Sequence, residues 1–111
     1  MESILTSIKK MLGIEEGYEH FDTDIMIHIN STLMVLRQLG VGPADGFRIT
    51  GSSETWDDYL GDNTHMDGVK TYVYWKVRLM FDPPTSSAHM EAMKNGIAEF
   101  EWRLNAEAES N

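Results

Sequence analysis

Apolar residues recur every three to four positions along most of the chain, which is the spacing of amphipathic helices. Residues 40–55 break this pattern with Pro43, Gly46 and Gly51, and residues 47–49 alternate as a short strand does. The pattern predicts five helical segments, at 3–12, 22–39, 56–60, 69–81 and 86–105. We therefore expect a mainly α protein: a small bundle of four to five helices, with a short β-hairpin or a protruding loop between the second and third.

The length of the chain, 111 residues, suits one domain with one modest core. We expect residues 1–105 to form a single helical domain and residues 106–111 to form a flexible acidic tail, because the last residues are polar.

The helix predicted at 22–39 is apolar on two sides. Asp22, Thr23 and Asp24 offer an N-cap and first-turn acids for it. Ile27 and Met34 fall roughly opposite its main apolar stripe, and a helix of this kind is buried centrally or shared with a neighbouring subunit. The main stripe consists of Ile25, Met26, Ile29, Leu33, Leu36 and Leu39.

Three residues, Asp82, Pro83 and Pro84, separate the last two long helices. Pro83 disfavours helical geometry at Asp82, and Pro84 fits the first turn of the following helix. We expect this segment to be a structural hinge that sets the angle between the two helices.

The last helix carries one apolar seam with a tryptophan roughly opposite to it. Because exposed tryptophans are enriched as interface anchors, Trp102 is a candidate interface residue. In the preceding helix, Lys76 projects into an apolar strip, either as a snorkelling side chain or in an ion pair with another helix or subunit. The seam consists of Met90, Met93, Ile97, Phe100 and Leu104. The full set of predicted interface residues is Trp102, Met90, Ile27, Met34, Phe47 and Lys76.

Neither charge nor motifs point to an enzyme. The net charge of −9 disfavours binding to nucleic-acid phosphates, and there is no cysteine. The histidines lack metal-ligand spacing, so we expect no metal and no cofactor. Asp57 and Asp58 are adjacent and point apart on a helix, which favours a solvated face over acid–base catalysis. No apolar run reaches the roughly 20 residues that span a bilayer, so no membrane partner is expected.

The order of these elements, with QLGVGPADGF at 38–47 and YWKVRLMFDPP at 74–84, resembles the head–tail connector, or adaptor, proteins of long-tailed bacteriophages. The resemblance covers nearly the whole chain and rests on pattern and order, because neither segment is a catalytic signature. It implies a structural virion protein that forms a ring of about twelve copies at the head–tail interface.

In such a ring, the protein would dock on the portal, extend the DNA channel and support the next head-completion or tail protein. DNA would pass without specific binding. The helix from Ser86 and the tail to Asn111 would engage the portal, with Trp102 as an anchor. The subunit could be a monomer in solution, and it would be present in the host cytoplasm during assembly. The alternative, from the residues alone, is a small helical dimeric regulator or antitoxin-like binding module, although no basic recognition helix is evident.

Overall fold

A computed structural model of the chain describes residues 2–61 and 66–110. Within these residues the chain is mainly α-helical, which confirms the predicted fold class. The helices are α1 (Ile4–Met11), α2 (Asp22–Gln38), α3 (Trp56–Leu60), α4 (Met66–Phe81) and α5 (Ser87–Ser110).

Helix α4 lies at the centre of the bundle and packs against α1, α2 and α5. It begins three residues before the predicted position and ends at Phe81, as predicted. Four of its side chains are almost fully buried: Val69, Tyr72, Val73 and Val77. Helix α2 contributes the facing apolar residues Ile25, Ile29, Leu33 and Leu36.

An ion pair joins the end of α1 to the start of α2. The Nζ atom of Lys9 lies 2.8 Å from the Oδ1 atom of Asp22, and Lys9 is almost fully buried. The same ammonium group donates a hydrogen bond to the carbonyl of Glu16. The predicted side-chain N-cap of α2 is wrong: Phe21 occupies the cap position without a side-chain hydrogen bond, and Asp22 pairs with Lys9.

The segment between α2 and α3 is a loop, and its described residues contain no β-hairpin. Of the two predicted alternatives, the hairpin is wrong because Asn30 of α2 replaces a strand partner. Its amide group accepts a hydrogen bond from the backbone N–H of Ile49 at 2.7 Å and donates one to the carbonyl of Ile49 at 3.0 Å. These two bonds hold the almost fully buried Ile49 against α2.

Helix α3 begins at a capping box formed by Thr55 and Asp58. The Thr55 hydroxyl accepts from the N–H of Asp58, and the carboxylate of Asp58 accepts from the N–H of Thr55. Trp56 follows in the core, where its indole N–H donates to the hydroxyl of Ser7 at 2.8 Å.

The break between α4 and α5 comprises residues 82–86. Helix α5 begins at Ser87, one residue after the predicted start, so Pro84 lies before its first turn and not within it as expected. The Ser86 hydroxyl accepts a hydrogen bond from the N–H of His89 instead, which caps the new helix. Helix α5 continues to Ser110, so residues 106–110, predicted as a tail, form its last turns.

Candidate interaction surfaces

Helix α5 is held to the bundle mainly along one narrow seam, and the side-chain amide of Asn105 also donates to the carbonyl of Leu39 at the end of α2, at 3.3 Å. Only Ile97 and Leu104 are buried on this helix among its described side chains. The ring of Phe100 packs against Trp75 of α4 with centroids 5.4 Å apart and planes at 70°. A Cβ atom built at Gly96 would lie 2.5 Å from the same Trp75 ring, so glycine allows the two helices to approach closely.

Contacts between α4 and α5 run in opposite order along the two helices. Trp75 meets Gly96, whereas Tyr72, three residues earlier in α4, bonds Glu101, five residues later in α5. The helices therefore form an antiparallel hairpin, and residues 82–86 make the turn between them.

A hydrogen bond between α4 and α5 stabilises this helical hairpin. The hydroxyl of the fully buried Tyr72 donates to the carboxylate of Glu101 at 2.7 Å. Burial, together with this hydrogen bond and the negative charge of Glu101, raises the pKa of the Tyr72 hydroxyl above its usual range. Lys76 lies 4.0 Å from the same carboxylate. Of the two alternatives for Lys76, the structure thus shows an ion pair with another helix of the same chain.

Trp102 lies on the side of α5 that faces away from the bundle. Its side chain is 72% exposed, the largest exposure among the large apolar residues of the described chain. The exposed indole ring keeps apolar surface in contact with water, and the fold of the single subunit does not bury this surface. The structure therefore assigns Trp102 no packing role within the single subunit.

A second apolar surface lies on the outer side of α2. Ile27 and Met34 are each more than half exposed, as expected for a helix that is apolar on two sides. Together with Phe47 from the following loop they line a shallow groove of about 620 Å³, which we call the α2 groove. Phe47 is half-buried because its ring also packs on Tyr59, with centroids 5.1 Å apart. Three of the six predicted interface residues are thus neighbours.

Two arginines border the α2 groove. Arg37 donates from its Nε atom to the carbonyl of Ala44 at 2.8 Å, which ties the loop to the end of α2. Arg48 is exposed and has no hydrogen-bond or ion-pair partner within the described part of the chain. Asp45 is the single acidic residue in the lining. The groove is therefore apolar at its floor and locally positive at its edge.

The remaining predicted site residues lie near the turn between α4 and α5. Met90 is half-buried near the start of α5, whereas Met93, one turn later, packs against the core. Asp82 and Pro83 are exposed. Just before them, Phe81 packs edge-on against Phe21 with centroids 5.2 Å apart, which fixes the end of α4. The structure thus brings neither Met90 nor Trp102 to the α2 groove.

Catalytic and metal-binding arrangements are not found in the residues that the structure describes. No group of three histidine, aspartate or glutamate side chains there could hold a metal ion. Asp58 serves the capping box, and Asp57 is exposed. His65 lies outside the described residues. The hydroxyl of Tyr59 is buried without a partner in the described ranges, and burial raises its pKa above the usual range. In the same residues, no helix is long and apolar enough to cross a membrane.

Sequence reasoning missed three polar residues that shape these surfaces. Asn30 clamps the loop that carries Phe47, Lys9 orders the chain before α2, and Glu101 joins α5 to α4. Each has a partner distant in sequence or across a turn, so local periodicity carries no signal for it. Lys9 lies one helical turn from both Leu5 and Leu12, and this position on the apolar side of α1 is the one pattern that could have indicated a buried charge.

A scan against protein families places this geometry in context. The model of a family described as "Phage connector protein" matches residues 4–111, which is nearly the entire chain. A comparison with curated proteins found no match, and a comparison with solved structures found none either. The chain belongs to the phage connector protein family, which confirms the resemblance drawn from its sequence.

Proposed function

We propose that this phage connector protein is a structural virion component that assembles as a ring at the head–tail interface. In this proposal, about twelve copies dock on the portal and extend the DNA channel. They also support attachment of the next head-completion or tail protein. The subunit is not an enzyme, acts without a cofactor, and enters the virion from the host cytoplasm. Residues 1–105 act as one domain.

The single observation that carries this proposal is the family match over residues 4–111. Two features of the chain support its finer parts. Trp102 and the α2 groove expose apolar surface on different helices, and such surface on a small domain favours contact with other proteins. The net charge of −9 suits a channel that does not retain DNA, because phosphate binding requires clustered lysine and arginine.

We assign the portal contact to α5, with Trp102 as its anchor. This helix packs mainly on α4 and contacts the end of α2 through Asn105, and Trp102 lies on its exposed side, where a partner could bind. An indole that enters a pocket on a partner is a frequent source of binding energy. Residues 82–84 act as the hinge that fixes the direction in which α5 leaves α4.

Native mass spectrometry and electron microscopy of the purified protein with purified portal test the proposal. The expected result is a ring of connector subunits on the portal, and a phage that lacks the gene is expected to yield no infectious particles. Absence of portal binding, together with infectious particles from the deletion phage, would contradict it. A stable dimer that does not bind the portal would favour the alternative function, a small helical dimeric regulator.

A further inference from the structure

The α1–α2 connection carries an acidic loop with an exposed ring. The loop consists of residues 15–19, in which Glu15, Glu16 and Glu19 are exposed. No hydrogen bond or ion pair engages these three carboxylates in residues 2–61 and 66–110. Tyr18 between them is 51% exposed. The loop therefore presents an aromatic ring surrounded by unneutralised negative charge.

The backbone of this acidic loop is nevertheless fixed. The Nζ atom of the buried Lys9 donates to the carbonyl of Glu16, and the N–H of Tyr18 donates to the carbonyl of Glu15 at 3.0 Å. The ring of Tyr18 packs edge-on against the ring of Phe21, with centroids 5.9 Å apart. A loop that is already ordered loses less conformational entropy when it binds.

The α2 groove has the complementary properties. Its floor is apolar, and its edge carries Arg48, which has no acidic partner among the described residues, and Arg37, whose Nε atom bonds only a carbonyl. A positive edge is unusual in a chain with a net charge of −9. We propose that the α2 groove receives the acidic loop of a second copy of this chain, an inference that rests on the proposed ring-forming function.

The acidic loop does not fill the groove of its own subunit, because none of residues 15–19 is in the lining of the α2 groove. The Lys9 contacts hold the loop beside Asp22, at the first residue of α2. Along this helix, Ile27 lies five residues and Met34 twelve residues beyond Asp22, which corresponds to rises of about 7.5 and 18 Å. The contact therefore joins two different surfaces of two subunits. Such a heterologous contact generates a closed ring or an open filament, depending on the rotation between copies.

Disulfide cross-linking tests the pairing directly, because the chain has no cysteine of its own. Gly17→Cys places a thiol in the acidic loop, where an added Cβ meets nothing within 4 Å. Ser31→Cys places one in the exposed lining of the α2 groove with little change in volume. An equimolar mixture of the two full-length variants, oxidised with and without portal, is expected to yield a linked dimer. Each variant alone is expected to remain a monomer under denaturing conditions.

The control is Ser87→Cys, a serine that is also exposed but lies at the start of α5. Mixed with Gly17→Cys, it is expected to cross-link at least about tenfold more slowly, because random collisions lack the charge complementarity of the groove. A chain carrying both Gly17→Cys and Ser31→Cys is expected to form a ladder of linked oligomers. Equal cross-linking in the two mixtures, or none in either, would overturn the pairing.

Charge reversal separates this inference from the proposed function. In the Gly17→Cys and Ser31→Cys mixture without portal, Arg48→Glu is expected to slow cross-linking about tenfold, whereas Lys94→Glu, a charge reversal at an exposed position of α5, is expected to leave it unchanged. If Arg48→Glu forms rings on the portal as well as the wild type does, the pairing of groove and loop is wrong but the proposed function still stands. A wild-type chain that neither associates nor binds portal would overturn the proposed function as well.

Discussion

Trp56 and Trp102 are the same residue type in opposite situations. Trp56 is almost fully buried between α1 and α4, its N–H donates to Ser7, and the Lys70 ammonium group lies 5.8 Å from the centre of its ring. Trp102 is 72% exposed on a helix attached by one seam. The first therefore stabilises the subunit, whereas the second offers apolar surface that only another molecule can cover.

The largest expected effect concerns the buried member of this pair. Trp56→Ala removes a large side chain from the core and leaves a cavity, so we expect the free energy of unfolding to fall by about 3–5 kcal/mol. Urea unfolding of the purified subunit measures it. Trp102→Ala is the matched control, with an expected change within about 0.5 kcal/mol because its side chain is 72% exposed. Similar losses in the two variants would remove the distinction between the two sites.

A smaller effect is expected from the clamp that supports the α2 groove. Asn30→Ala leaves the N–H and the carbonyl of buried Ile49 without partners, so we expect a loss of about 2 kcal/mol. Urea unfolding again provides the measurement. Asn95→Ala, at an exposed position of α5, serves as the control and is expected to be nearly neutral. If both variants unfold at the same urea concentration, the loop that carries Phe47 does not depend on Asn30.

The seam between α4 and α5 provides a third test. Alanine favours a helix over glycine by about 1 kcal/mol, but a Cβ at position 96 would collide with the Trp75 ring. We expect Gly96→Ala to destabilise the subunit by about 1–2 kcal/mol, since overpacking outweighs the helical gain. Gly51→Ala is the control, because an added Cβ there meets no neighbour within 4 Å. A more stable Gly96→Ala variant would mean that α5 shifts freely on α4.

Much of the helical architecture could be predicted from the sequence, because apolar periodicity is a local signal. It predicted the number of helices, the core face of α2 and the outward position of Trp102. The capping box of α3 is likewise a local interaction, because Thr55 and Asp58 lie three positions apart in the chain. The assignment of the chain to a phage connector family rested on element order, and the family match agrees with it.

The features that sequence did not predict depend on partners distant in the chain. The hairpin alternative failed because Asn30 satisfies Ile49, an interaction over 19 residues. The predicted cap of α2 failed because Asp22 pairs with Lys9. The role of Ser86 as the cap of α5 was not predicted either, because the two prolines indicate a first turn that includes Pro84. The predicted interface roles of all six residues remain predictions: Trp102, Met90, Ile27, Met34, Phe47 and Lys76.

The most direct test of the central claim measures portal binding and unfolding on the same Trp102→Ala sample. We predict that native mass spectrometry shows rings of the wild-type chain on the portal, while the variant binds about 30-fold more weakly or not at all. Its urea unfolding curve should overlay that of the wild type. Met11→Ala, at another exposed apolar position, is expected to bind as the wild type does. Undiminished portal binding by Trp102→Ala, or a loss of binding matched by an equal loss of stability, would contradict the account.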